Sequence, residues 1–169
     1  VVPVPSISVI PNITICEGQG TAFTASAQGA ISYTWSGPNG FFVTQPNTQF
    51  QNLTPNWSGQ YTVNAQFTNG NINCYNSNTT DLLVKPIIHF SLSPINQLCF
   101  NQPLTINGPS GASSYTWTGP NTTSNLQNLY IQGVTKGNKG TYTLKVELNG
   151  CITESSVDVD VLDPIEWKV

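Results

Sequence analysis

Four cysteines, Cys16, Cys74, Cys99 and Cys151, are the residues of this 169-residue chain best suited to covalent chemistry. No two of them form a Cys-x-x-Cys pair, the spacing that zinc and dithiol redox motifs use, so the wide, even-numbered set indicates structural disulfides formed in an oxidising, extracellular compartment. Four cysteines allow three connectivities. The connectivity that gives each half of the chain its own bridge is Cys16 to Cys74 and Cys99 to Cys151. Closing loops of that size contributes about 4 kcal/mol in the chain-entropy account. Catalysis needs several acidic, basic or nucleophilic side chains gathered together, whereas the one histidine, His89, has no charged neighbour in sequence closer than Lys85. No catalytic or cofactor-binding residue is assigned, and the chain reads as a non-enzyme.

Three weaker candidates remain. Asp158, Asp160, Asp163 and Glu166 concentrate carboxylates near the end of the chain, where an oxygen-rich calcium site is conceivable. The matching places in the first half are Thr80, Leu82 and Lys85, so the cluster reads as a solvated acidic face and no metal ligand is assigned. Trp57, in Pro55-Asn56-Trp57-Ser58-Gly59, would stack on a sugar ring if exposed, but its counterpart in the second half is Asn138. Five Asn-x-Ser/Thr sequons begin at Asn12, Asn52, Asn56, Asn78 and Asn121. In so Asn- and Thr-rich a chain, several arise by composition alone.

Composition narrows the partners. Only 8% of residues are charged, against about 25% in an ordinary domain. There is no Arg and only five Lys, while Asn, Gln, Ser and Thr supply 65 residues. Amides and hydroxyls therefore solvate the surface, and no basic stripe exists for a nucleic-acid backbone. Contacts of this kind depend weakly on salt and pH. No apolar run is long enough to insert in a membrane as a helix. The absence of Met indicates a processed product or a segment of a longer chain.

The candidate residues are positioned by an internal repeat. Tyr33-Thr34-Trp35-Ser36-Gly37-Pro38-Asn39 recurs as Tyr115-Thr116-Trp117-Thr118-Gly119-Pro120-Asn121, and Gly59-Gln60-Tyr61-Thr62-Val63 recurs as Gly140-Thr141-Tyr142-Thr143-Leu144. Two domains of roughly 80 residues follow, at 1–85 and 86–163. Residues 164–169 match the start of the second repeat, as the opening of a third repeat or a linker. Within each repeat the apolar period is two, with Tyr61, Val63, Ala65, Phe67 and Tyr142, Leu144, Val146, Leu148 on one face. The elements are therefore strands, separated by turn clusters such as Gly37-Pro38-Asn39-Gly40 and Asn107-Gly108-Pro109.

Six or seven short strands per repeat, a core tryptophan (Trp35, Trp117) and Gly-x-Tyr entering the penultimate strand (Tyr61, Tyr142) form a pattern similar to an immunoglobulin-like β-sandwich with a tyrosine corner. An antibody-type domain places its second cysteine two residues after that tyrosine, where Val63 and Leu144 stand here. The expected fold is all-β: two tandem immunoglobulin-like sandwiches, one disulfide each.

The string Tyr-Thr-Trp-Ser/Thr-Gly-Pro-Asn, followed by Gly-x-Tyr-Thr-Val/Leu and then Asn-Gly before a cysteine, resembles the Ig-like or PKD-like repeats of giant Bacteroidetes surface proteins, across nearly the whole chain. These include gliding-motility adhesins of the SprB kind and other type IX secretion products. The resemblance implies a spacer or stalk module in cell-surface attachment or gliding, located outside the cell. Its partners would be neighbouring repeats, with self-association into filaments or binding of surface glycans as further options. A carbohydrate-binding module is the alternative function.

Overall fold

The computed structural model describes residues 4–162. The expected third-repeat start, 164–169, and the carboxylates Asp163 and Glu166 lie outside the described residues. The chain divides between Pro86 and Ile87 into two units, and each has its own buried core.

The first unit runs β1 (Ser8–Val9), β2 (Ile13–Cys16), β3 (Thr21–Ser26), β4 (Ala30–Ser36), β5 (Phe42–Val43), β6 (Asn47–Phe50), β7 (Gly59–Asn69) and β8 (Ile72–Lys85). One sheet has the order β2-β8-β7-β4-β5 and the other β1-β3-β6. The second unit runs β9 (Leu98–Cys99), β10 (Leu104–Ile106), β11 (Ser114–Gly119), β12 (Thr122–Ser124), β13 (Leu129–Ile131), β14 (Gly140–Leu148), β15 (Cys151–Val159) and β16 (Val161–Leu162). Its main sheet has the order β12-β11-β14-β15, joined by the pairs β10-β13 and β16-β9.

The period-two pattern does what pleating requires. Along β7, Tyr61, Val63, Ala65 and Phe67 are buried between more exposed neighbours, and Tyr142, Leu144 and Val146 repeat this along β14. Neighbouring strands of the same sheet add Leu82 and Val84 to the first core and Val157 and Val159 to the second, and strands outside that sheet add Phe23 and Ile106. Trp35 and Trp117 are fully buried at the centres. The free edge of β8 is covered within its own unit, because the Asn76 and Asn78 amides donate to the carbonyls of Pro5 and Ile7 at 2.9 and 2.8 Å. That cover answers the tendency of open edges to recruit strands.

Register corrects one sequence match. Tyr61 faces Thr80 and Tyr142 faces Val157, so Thr80 corresponds to Val157 and Asp158 corresponds to Asp81. The alignment of Asp158 with Thr80 was one residue out. The true pair exposes a defect in the first unit: Thr80 is 1% exposed and its hydroxyl has no hydrogen-bond partner. An unpaired buried hydroxyl costs about 1–3 kcal/mol, and valine suits a buried strand position better. Thr80→Val, the residue the second unit already uses, is expected to stabilise the first unit by about 1 kcal/mol. A higher denaturant midpoint at unchanged slope would verify it.

The cysteine pairing expected within each repeat is not formed, and there is not one disulfide in each. Cys74 and Cys99 are free thiols, whereas Cys16 and Cys151 are disulfide-bonded, so neither expected pair exists. Strand geometry gives the reason. Cys16 lies beside Lys85 at the end of β8, and Cys74 lies eleven residues earlier in that strand, about 36 Å away at the rise of an extended chain. Cys99 lies beside Leu162, eleven residues beyond Cys151. A disulfide needs Cα atoms within about 7 Å, so cysteines at opposite poles of one sandwich cannot join.

Candidate functional site

The repeated signature closes into one piece of structure in each unit. The Tyr61 hydroxyl donates to the Trp57 carbonyl at 2.9 Å and the Tyr142 hydroxyl donates to the Asn138 carbonyl at 2.9 Å, the tyrosine corner that Gly-x-Tyr implies. Burial pushes both phenols above their ordinary pKa. Each ring lies flat over a glycine of the other motif, since a Cβ on Gly37 would sit 2.3 Å from Tyr61 Cδ1, and one on Gly119 would sit 2.4 Å from Tyr142 Cδ1. The next residue locks the reverse way. Gly59 and Gly140 hold left-handed backbones, φ 148° and 142°, and a Cβ on either would strike Pro38 or Pro120 at 2.8 Å.

The asparagine completes the clamp. Asn39 and Asn121 also adopt positive φ, 55° and 52°, which Asn tolerates better than most residues. Their side-chain amides reach the turn before the corner tyrosine, donating to Asn56 O at 3.0 Å and Gly137 O at 3.1 Å. The tryptophans are tied down as well: Trp35 Nε1 donates to Pro46 O at 3.2 Å and Trp117 Nε1 to Leu126 O at 3.0 Å. Trp, Gly, Pro, Asn, Gly and Tyr thus satisfy one another. The feature the two units share most strongly is consumed by the fold and presents no common ligand-facing constellation.

Trp57 sits in the Pro55–Trp57 turn and is half-buried. Its ring meets Phe41 and Phe50 edge-on, with centroids 6.5 and 6.0 Å apart, and packs against the first core. The same place in the second unit holds Asn138, whose Oδ1 accepts from the backbone and hydroxyl of Thr135 at 2.8 and 3.0 Å. One unit therefore steadies this turn with an aromatic cluster and the other with a capping box.

The acidic face is engaged locally. Thr141 donates to Asp158 at 2.6 Å, and Asp160 receives Lys139 at 2.6 Å together with the Gln97 amide. The Lys139 and Gln97 bonds hold the Asp160 carboxyl below its ordinary pKa. Among the described residues no group of three His, Cys, Asp or Glu is placed to hold a metal ion, and no helix is long and apolar enough to cross a membrane.

The cysteine turns carry a device absent from the sequence reading. Gln19 and Gln102 each accept from the backbone N–H of the cysteine three residues earlier, at 2.9 and 2.7 Å. Each returns its own N–H to that cysteine's carbonyl at 3.1 Å. The sequence signal was the shared Cys-x-x-Gln.

No protein-family model and no curated protein matches this chain. Solved structures do. The insect immune protein hemolin matches at a TM-score of 0.55 and 17% identity, over 94% of this chain and 47% of hemolin. The I67–I69 fragment of the titin I-band matches at 0.50 and 16% identity, over 97% of this chain and 68% of the fragment. The chain spans about half the length of the Dscam1 and hemolin chains it matches. At such identities the likeness establishes the fold: two tandem immunoglobulin-like β-sandwiches.

Proposed function

We propose that this chain is a pair of structural repeats from an extracellular adhesin or surface filament, acting as a spacer or stalk in cell-surface attachment or gliding. The observation that carries the reading is the clamp: what recurs in both units is scaffold, Trp35 with Gly37, Pro38, Asn39 and Tyr61, and its twin around Trp117 and Tyr142. A recognition module would repeat a surface constellation, whereas a spacer need only repeat its framework. The disulfide fits an oxidising compartment outside the cell. The similarity of the Tyr-Thr-Trp-Ser/Thr-Gly-Pro-Asn string to Bacteroidetes surface repeats supplies the cellular setting. Hemolin, described with implications for homophilic adhesion, lends the adhesive class plausibility through its fold.

Single-molecule stretching tests this. Under reducing conditions a spacer yields two separate unfolding events, each releasing at most about 260–290 Å, less the folded length, for a unit of roughly 80 residues. Extension without force peaks overturns the load-bearing reading. Glycan-array binding that disappears in Trp57→Ala would replace it with the carbohydrate-binding one.

A further inference from the structure

We infer that the outer face of the β1-β3-β6 sheet, in the first unit alone, is a binding site for a neutral polysaccharide. The inference goes beyond the spacer reading and is independent of it, because a module can bear load and still hold a ligand on its flank.

The two units share a framework and differ in surface charge. The first carries three charged side chains, Glu17, Asp81 and Lys85, and the other ten of the chain belong to the second. None of those three lies on β1, β3 or β6. Alternation along β3 sends Phe23 and Ala25 into the core and turns Ala22, Thr24 and Ser26 outward. Register sets these beside Gln49, Asn47 and Ser8 in turn. The outer face is therefore three cross-strand pairs that present hydroxyls and amides around one small alanine.

That face is concave. One open hollow is lined by Ala22, Thr24, Asn47 and Gln49, a second shares Thr24 and Asn47 with it, and a third shares Ser8 and Ser26 with the second, so the three form one trough with no charged residue along it. Its five polar side chains are exposed and bond to no other side chain or backbone group among the described residues. The second unit has spent the same groups. Its matching sheet stops at Ile106–Leu129, the counterpart of Phe23–Thr48, and Asn128, at the place of Asn47, accepts from the Gly108 N–H at 3.1 Å. The bulkier pair Thr105–Tyr130 stands there for Ala22–Gln49. Free hydroxyls and amides give a sugar chain both donors and acceptors. A neutral chain recovers its lost hydration as hydrogen bonds, whereas an anionic one would be desolvated with no countercharge to meet it. A protein partner fits poorly, since Ser and Ala are depleted in protein interfaces and the three pairs offer neither an aromatic nor an Arg anchor.

The test applies the full chain to an array of immobilised neutral glucans, mannans, xylans and galactans, with alginate and hyaluronate as anionic controls. Binding to at least one neutral chain is expected, equally at low and high salt, because no ion pair is present to be screened. Failure to bind any neutral chain, or preference for the anionic controls, overturns the inference. On the neutral chain retained, Asn47→Ala combined with Gln49→Ala should weaken binding roughly tenfold or more, and Thr24→Glu should do the same by setting a charge in the middle of the trough. Ser8→Ala combined with Ser26→Ala probes the other end independently. These side chains hold nothing in the fold, so the first unit should keep its denaturant midpoint in the two alanine variants. Trp57→Ala and Tyr130→Ala should bind as the parent does. Binding that survives the trough variants, or that is lost with Trp57→Ala, puts the site elsewhere and overturns the inference. The unfolding force peaks, by which the spacer is judged, are read separately from all of these outcomes.

Discussion

Trp35→Ala is expected to remove about 3–5 kcal/mol from the first module and to leave the second intact. The indole is fully buried, stacks at a tilt 5.3 Å from Phe23, and fixes Pro46 through its N–H. Truncation therefore opens a large cavity and orphans a carbonyl acceptor at once. A module of roughly 80 residues has about 4–12 kcal/mol of total stability, so the loss is about a quarter of it or more. The partners of Trp117 belong to a separate core, and the second module should unfold at its original midpoint. Guanidinium titration under reducing conditions, followed by hydrogen exchange resolved to peptides of each module, separates the two transitions. A single shared transition, shifted as a whole, would show that the cores are not independent. Trp57→Ala is a useful contrast, because its half-buried ring at the core margin predicts a smaller loss.

Those cores explain which features were readable without coordinates. Long strands announce themselves because a two-residue period sustained from Tyr61 to Phe67 admits no other packing. Trp35, Trp117, Tyr61 and Tyr142 were legible for the same reason: large side chains at repeated, strand-compatible places have little choice but the centre. The cysteine pairing was not legible, and the cause is specific. From Cys16 to the β7–β8 hairpin the chain crosses the sandwich along β3, β4, β5, β6 and β7, an odd number of traversals that delivers Cys74 to the opposite pole. The parity depends on β5, a strand of two residues, and two residues carry no period. Likewise the hairpin of the first module runs two residues further along each strand beyond the Phe67–Cys74 pair than the second does beyond Leu148–Cys151. Loop insertions in repeats of this kind blur a match by offset alone, which is how Asp158 came to be set against Thr80.

The clamp was visible as a recurring string and invisible as a mechanism, and Gly37→Ala tests the mechanism directly. The backbone there is extended, φ −172°, and would accept any residue, so the demand for glycine comes wholly from the ring above it. An added methyl would stand 2.3 and 2.5 Å from Tyr61 Cδ1 and Cε1, well inside van der Waals contact. The ring cannot yield easily, because its hydroxyl is held by Trp57 O and Phe23 packs against it edge-on at 4.7 Å. Overpacking of a core usually costs about 1–3 kcal/mol, and the pinned ring places this substitution at or above the top of that range. Gly119→Ala should act alike in the second module, beneath Tyr142. The decisive measurement is a double-mutant cycle with Tyr61→Leu, whose flexible side chain vacates the aromatic plane: Gly37→Ala should then cost at least 1 kcal/mol less, the size of coupling expected for residues in direct contact. An additive result would mean that the glycine is required for some reason other than the tyrosine ring.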